Sequence, residues 1–195
     1  MERNPQLGSD DLALLGDSSR HLPSEALEPR LAALTPTRDR GRLALIVSRD
    51  ETGHRHTHAS VELTPERGVP GDAWFRKTPD KPEAQITLMR IDVAELFANE
   101  QDLTLFGDNL LVDLDLSTEN LPIGTRLRIG SALLEVTPKP HTGCLKFKRR
   151  FGDAALRLTA APRFREQHLR GIYARTLEAG TVTVEDVIEI VGRQS

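Results

Sequence analysis

Eight short apolar runs, parted by turn residues, constrain this chain more than any other feature. LALIVS (43–48), ASVEL (59–63), AQITLM (84–89), NLLVDLDL (109–116), TRLRI (125–129), ALLEVT (132–137), GIYARTLEAG (171–180) and VTVEDVIEIV (182–191) are each strand-length. In several of them apolar residues recur every second position. Leu110, Val112, Leu114 and Leu116 fall on one side of their run, Asp113 and Asp115 on the other, as a half-buried strand requires. Gly130-Ser131 separates two runs by two residues and suits a type II′ hairpin. Helical periodicity is clear only in IDVAELFANE (91–100), where Val93, Leu96 and Phe97 share a face. Asp92, with Glu95 three residues on, reads as a capping box at its start. A second helix is expected within 152–169. Many short strands with few helices predict a mainly β fold, a barrel or sandwich with peripheral helices. Residues 1–40 are rich in Pro, Ser, Asp and Arg, and Pro23, Pro29 and Pro36 interrupt their leucines; they read as an extension, loosely ordered or docked, ahead of a domain spanning 41–195.

The chain has 195 residues with 26 Lys and Arg against 29 Asp and Glu, a net charge of −3. That balance argues against a nucleic-acid partner, which would call for a strongly basic domain. No run approaches the ~18 apolar residues of a membrane span, and the acidic, weakly apolar MERNPQLGSDDLALLGDSSR does not read as a signal peptide. A single cysteine rules out an internal disulfide and a four-thiolate cluster. A reducing, cytoplasmic setting is the expectation.

That cysteine, Cys144, lies in PKPHTGCLKFKRRFGD, followed at once by Lys146, Lys148, Arg149 and Arg150. Cations near a thiol favour the thiolate, which is the nucleophile and the metal ligand. An inert, buried thiol is the alternative on residue type alone. A local basic run in a mildly acidic chain suits a small anion such as a phosphate, or else a solvated face. His54, His56 and His58 could share one side of an extended segment and bind zinc or nickel, although Arg55 and Thr57 between them also fit a solvated hairpin tip. There is no phosphate-binding glycine loop, nucleophile elbow or flavin, nicotinamide or cluster motif.

The ordered series GVPGD, FGDNL, LPIGTRLRIG, a cysteine shortly after a proline, and LRGIYARTLEAG resembles the MOSC family, named for the C-terminal domain of molybdenum cofactor sulfurases. The likeness runs over residues 43–191. It implies a β-barrel-like fold and the molybdenum cofactor (molybdopterin) as ligand, with Cys144 carrying a sulfane sulfur or ligating molybdenum. It also implies pocket-loop roles for Gly107, Asp108 and Asn109, with Arg170, Lys146, Lys148, Arg149 and Arg150 toward the cofactor phosphate. His141 and Thr142, just before Cys144, join the expected site, His141 as a proton donor or tuner of the thiol, or equally as a loop residue. The implied reaction is reduction of N-hydroxylated or related small molecules, with electrons from a partner reductase; the alternative is a non-catalytic carrier of sulfur or of the cofactor. Oligomeric state is open.

Overall fold

The computed structural model describes residues 15–193. Its centre is a closed barrel of seven strands, with helices packed on one flank. The strands are β1 (Arg40–Arg49), β2 (Arg55–His58), β3 (Ser60–Leu63), β4 (Ile86–Arg90), β5 (Leu110–Asp113), β6 (Arg126–Ile129), β7 (Ala132–Val136), β8 (Ile172–Glu178), β9 (Gly180–Thr183) and β10 (Val187–Gly192). The hydrogen-bonded order is β10-β6-β7-β8-β4-β5-β1-β2, and pairing of β10 with β1 closes the ring, leaving β2 outside it. β3 and β9 form a separate two-stranded ribbon. β4 and β5 run parallel, with Leu88 opposite Leu110; the other ring pairings are antiparallel.

Alternation decides which side chains fill the barrel. Ile86, Leu88, Leu110, Val112, Leu127, Leu134, Ala174 and Ile188 point inward and form one core. Met89 and Leu111, one residue out of phase on β4 and β5, face the other way into a second core shared with the helices. These two strands are therefore apolar on both faces, as expected where a sheet is covered by helices. Gly130 has φ +52 and begins the β6–β7 turn, with Ile129 opposite Ala132, in keeping with the type II′ expectation.

The helices are α1 (Ser24–Ala32), α2 (Trp74–Lys77), α3 (Ile91–Ala98) and α4 (Leu145–Ala160). α3 matches its predicted span, but its cap differs. Arg90, the last residue of β4, is the N-cap, and Asp92 lies inside the first turn. Asp92 receives the Arg90 guanidinium at 2.6 and 3.0 Å and the Val93 amide at 2.7 Å. The strand runs straight into the helix, so a guanidinium–carboxylate pair replaces the capping box.

α4 begins seven residues before the expected stretch and is broken at Gly152, whose φ of +93 and ψ of 165 are not helical. The Lys146–Arg150 run is thus helical. Phe147 and Phe151, one turn apart, bury the same face with Ala154, Ala155 and Leu158. Phe151 stacks on Phe106 at 3.9 Å between centroids, and Phe147 meets Phe97 edge-on at 6.1 Å. Leu27 and Leu31 of α1 join this cluster, so residues 24–32 pack against α3 and α4.

Candidate functional site

Three segments meet where the starts of β4 and β5 lie side by side. The first is the turn Gly107–Asn109. Gly107 ends a 3₁₀ turn (Leu103–Phe106) in the left-handed region, φ +70. A side chain there would sit 3.7 Å from the guanidinium nitrogens of both Arg49 and Arg55. Asp108 is 1% exposed and accepts from Arg170 at 2.5 Å. Both polar atoms of the Asn109 side chain are hydrogen-bonded. Its Oδ1 accepts from the Thr87 amide and hydroxyl, both at 3.1 Å, and its Nδ2 donates to Val47 O and Asp72 Oδ2. Asn109 ties three segments together. Asp72, from the GVPGD turn, continues the tie by accepting from the Arg49 and Trp74 amides, both at 2.9 Å.

The second segment is 137–144. His141 Nδ1 stands 3.6 Å from Asp108 Oδ1, and its ring lies 4.6 Å from that of Tyr173. Burial, then Arg170, lowers the His141 pKa to about 3, against a smaller opposing pull from Asp108. The imidazole is neutral at pH 7, so its contact with Asp108 is polar rather than an ion pair. Thr142 is exposed. Cys144 is exposed as well and is the N-cap of α4.

The third segment is the basic run of α4 together with Arg49 and Arg55 on the β1–β2 hairpin. A hollow of about 550 Å³ is lined by Arg49, Arg55, Lys77, Lys146, Arg149 and Arg150, with the Asp50–Gly53 turn as its lip. A second hollow of about 300 Å³, which shares Arg49 and Lys77, is lined by Gly107, Asp108, Asn109, His141, Arg170 and Tyr173. Cys144 lines neither, but a thiolate there acts on Arg150 in the first and on Tyr173 in the second. The sulfur thus stands within electrostatic reach of both.

The lining of the first hollow is predominantly cationic, with Asp50 and Glu51 on its rim against the arginines and lysines. Burial, then Arg55, pushes Arg150 down to about 10, while Cys144 pulls the other way and Arg49 and Arg170 add to the repulsion. Arg55 is lowered by burial and then by Arg49. Among the described residues, neither Arg49 nor Arg55 has a carboxylate at ion-pair distance. Guanidinium groups crowded this way, with Arg55 and Arg150 half-buried and Arg49 exposed, favour an anion between them. Several buried polar atoms also lack a hydrogen bond: Asp108 Oδ1 and His141 Nδ1, which face each other at 3.6 Å, and Arg170 Nε around the second hollow, and Arg55 Nε beside the first. An open thiol, a cationic cleft and unsatisfied polar atoms next to it fit a ligand that combines a soft metal with a phosphate.

Of the residues singled out from sequence, Lys146, Arg149, Arg150, Gly107, Asp108, Asn109, His141 and Arg170 line these two hollows, whereas Cys144 and Thr142 are exposed and line neither. Lys148 does not line them; it pairs with Asp153 at 2.8 Å beside a separate groove. The three histidines do not converge. His54 bonds to Thr52, His56 to Asp50 and His58 to Ser48, and among the described residues no cluster of three or more His, Cys, Asp or Glu could hold a metal ion. Sequence reasoning missed Arg49, Arg55, Lys77, Asp72 and Tyr173. The GVPGD and FGDN turns, read together, were the available signal for Asp72.

The MOSC domain family matches residues 81–189, more than half of the chain, and the chain belongs to that family. Solved structures share the fold. YiiM from Escherichia coli is 22% identical with a TM-score of 0.54, over 79% of this chain and 71% of that one. The YUAD protein APC1665 from Bacillus subtilis is 18% identical with a TM-score of 0.55, over 82% of this chain and 100% of that one. A further crystal structure, described as a hypothetical protein, is 22% identical with a TM-score of 0.61, over 81% and 71%. None of the curated proteins matches the chain. Among the described residues no helix is long and apolar enough to cross a membrane.

Proposed function

We propose that this MOSC protein binds the molybdenum cofactor and serves as the molybdenum component of a reductase for N-hydroxylated or related small molecules. The observation that carries this reading is an exposed Cys144 thiol within electrostatic reach of Arg150 in a guanidinium-lined cleft and of Tyr173 in a smaller hollow with unsatisfied buried polar atoms. Cys144 would hold the metal. Arg49, Arg55 and Arg150, with Lys146, Arg149 and Lys77, would hold the phosphate. When bound, the cofactor supplies a two-electron redox centre.

The chain's own residues orient and exclude. Asp108 neutralises Arg170 and fixes it beneath the smaller hollow. His141 stays neutral there, able to offer or accept one hydrogen bond without adding charge. Tyr173 and Trp74 line the same space and would narrow the room left for water. Electrons would come from a partner reductase, and a free, exposed thiol suits a reducing compartment such as the cytoplasm.

A second reading, a sulfur carrier with a persulfide on Cys144, is favoured by one feature: the sulfur is exposed and lines neither hollow. Elemental analysis and a cyanolysable-sulfur assay, on protein from a cofactor-competent host, separate the two. The molybdenum reading expects near-stoichiometric metal in the wild type and loss of it in Cys144→Ala, whose stability stays within ~0.5 kcal/mol because the site is at the surface. Equal molybdenum in both proteins would remove Cys144 as ligand. Labile sulfur without molybdenum would favour the carrier.

A further inference from the structure

Arg150 is anchored from a direction that the cleft itself does not explain. In a continuous helix its carbonyl would accept from the amide four residues on. The break at Gly152 turns this carbonyl toward two side chains instead. Gln101 Nε2 donates to it at 3.0 Å, and His21 Nε2 lies 3.1 Å from it, so His21 carries its proton on Nε2. Gln101 in turn accepts the Asp17 amide at 2.6 Å through Oε1. Gly16 lies so close that a Cβ there would stand 2.9 Å from Arg150 Cα. Arg20 forms an ion pair with Glu100, and its carbonyl accepts from Asn99 Nδ2 at 3.0 Å. Leu15 lines the larger hollow. At its other end, Arg150 Nη1 donates to Leu105 O at 2.8 Å.

We propose that residues 15–22 form a strap which, through His21 and Gln101, positions Arg150 and thereby sets the anion affinity of the larger hollow. His21 and Gln101 are positioning residues; neither lines that hollow. The proposal rests on the reading of the hollow as the phosphate end of the site. It adds that a segment well over a hundred residues away in sequence tunes that end. A guanidinium inserted among three others must be held against their repulsion, and fixing its backbone carbonyl with two donors limits its retreat toward solvent. The Gly152 break is what makes that carbonyl available.

The test uses the full chain without cofactor and titrates inorganic pyrophosphate by calorimetry at low salt. Arg150→Met is expected to weaken binding by about 10-fold, the worth of a charge-assisted contact. His21→Leu and Gln101→Met should each weaken it by about 3–10-fold, the worth of a hydrogen bond. His21→Gln, which keeps a donor of similar reach, should restore near wild-type affinity, a rescue that a merely structural role would not require. Asn99→Gly removes the clamp on Arg20 at the surface and keeps the left-handed backbone, φ +46. It should give a smaller weakening, and it tests the strap should the His21 and Gln101 variants fail to fold. Arg150→Met weakened, with His21→Leu, Gln101→Met and Asn99→Gly all binding as wild type, would overturn the strap and leave the phosphate reading standing. No pyrophosphate binding by the wild type, or no effect of Arg150→Met, would remove the phosphate reading and the strap with it.

Discussion

His141 carries the clearest pH signature of any side chain at the site. Unfolded, its imidazole takes a proton near the ordinary 6.5; folded, burial and Arg170 delay that to about 3. Between those values the unfolded chain binds more protons, so stability rises with pH. The contribution is complete above pH 6.5 and is lost as pH falls toward 3. Its slope approaches about 1.4 kcal/mol per pH unit. Urea melts should show the wild type losing about 1.2 kcal/mol through this group between pH 7.0 and 5.5, and His141→Gln losing less; equal losses would mean that the ring accepts a proton inside the fold. The sequence placed His141 beside Cys144 but could not report its charge, because Asp108 and Arg170 reach it from other segments. Arg49 and Arg55 were illegible for the same reason. An arginine at a hairpin reads as solvated until tertiary structure turns it toward α4.

Elements were more legible than residues. The barrel strands announce themselves because period-two alternation is local, and α3 does so because its apolar face repeats within eight residues. α4 was misplaced because Gly152-Asp153 reads as a turn, and the turn is real: the glycine breaks a helix whose two halves bury one continuous face. Gly171 marks a comparable constraint at the entry to β8. It has φ +95, and a Cβ there would stand 2.2 Å from Leu88 O and 3.3 Å from His141 Nδ1. Gly171→Ala should therefore destabilise the protein by at least ~3 kcal/mol, from backbone strain and a collision with backbone that cannot yield. A thermal melt within a degree or two of wild type would show that β8 can shift away from β4.

For the molecule as a whole, the N-terminal segment is tied to the site as well as to the fold. Its prolines and scattered leucines carry no strong period, so sequence alone left its packing open. Leu27 is 1% exposed within the aromatic cluster of α3 and α4. Leu27→Ala should cost ~2–4 kcal/mol and leave a single cooperative transition. A loss near zero, or two separate transitions, would mean that α1 is dispensable to the core. The ring of strands has a consequence of its own. Opposed directions can alternate without fault around a closed cycle only when its members are even in number. Seven is odd, so arithmetic obliges one neighbouring pair to agree in direction, and β4 and β5 are that pair. Both strands then begin at the same rim, which brings Thr87 and Asn109 together and opens the hollow above them. That some pair must agree is a parity that no substitution of one side chain can change, and the proposed site sits where this pair begins.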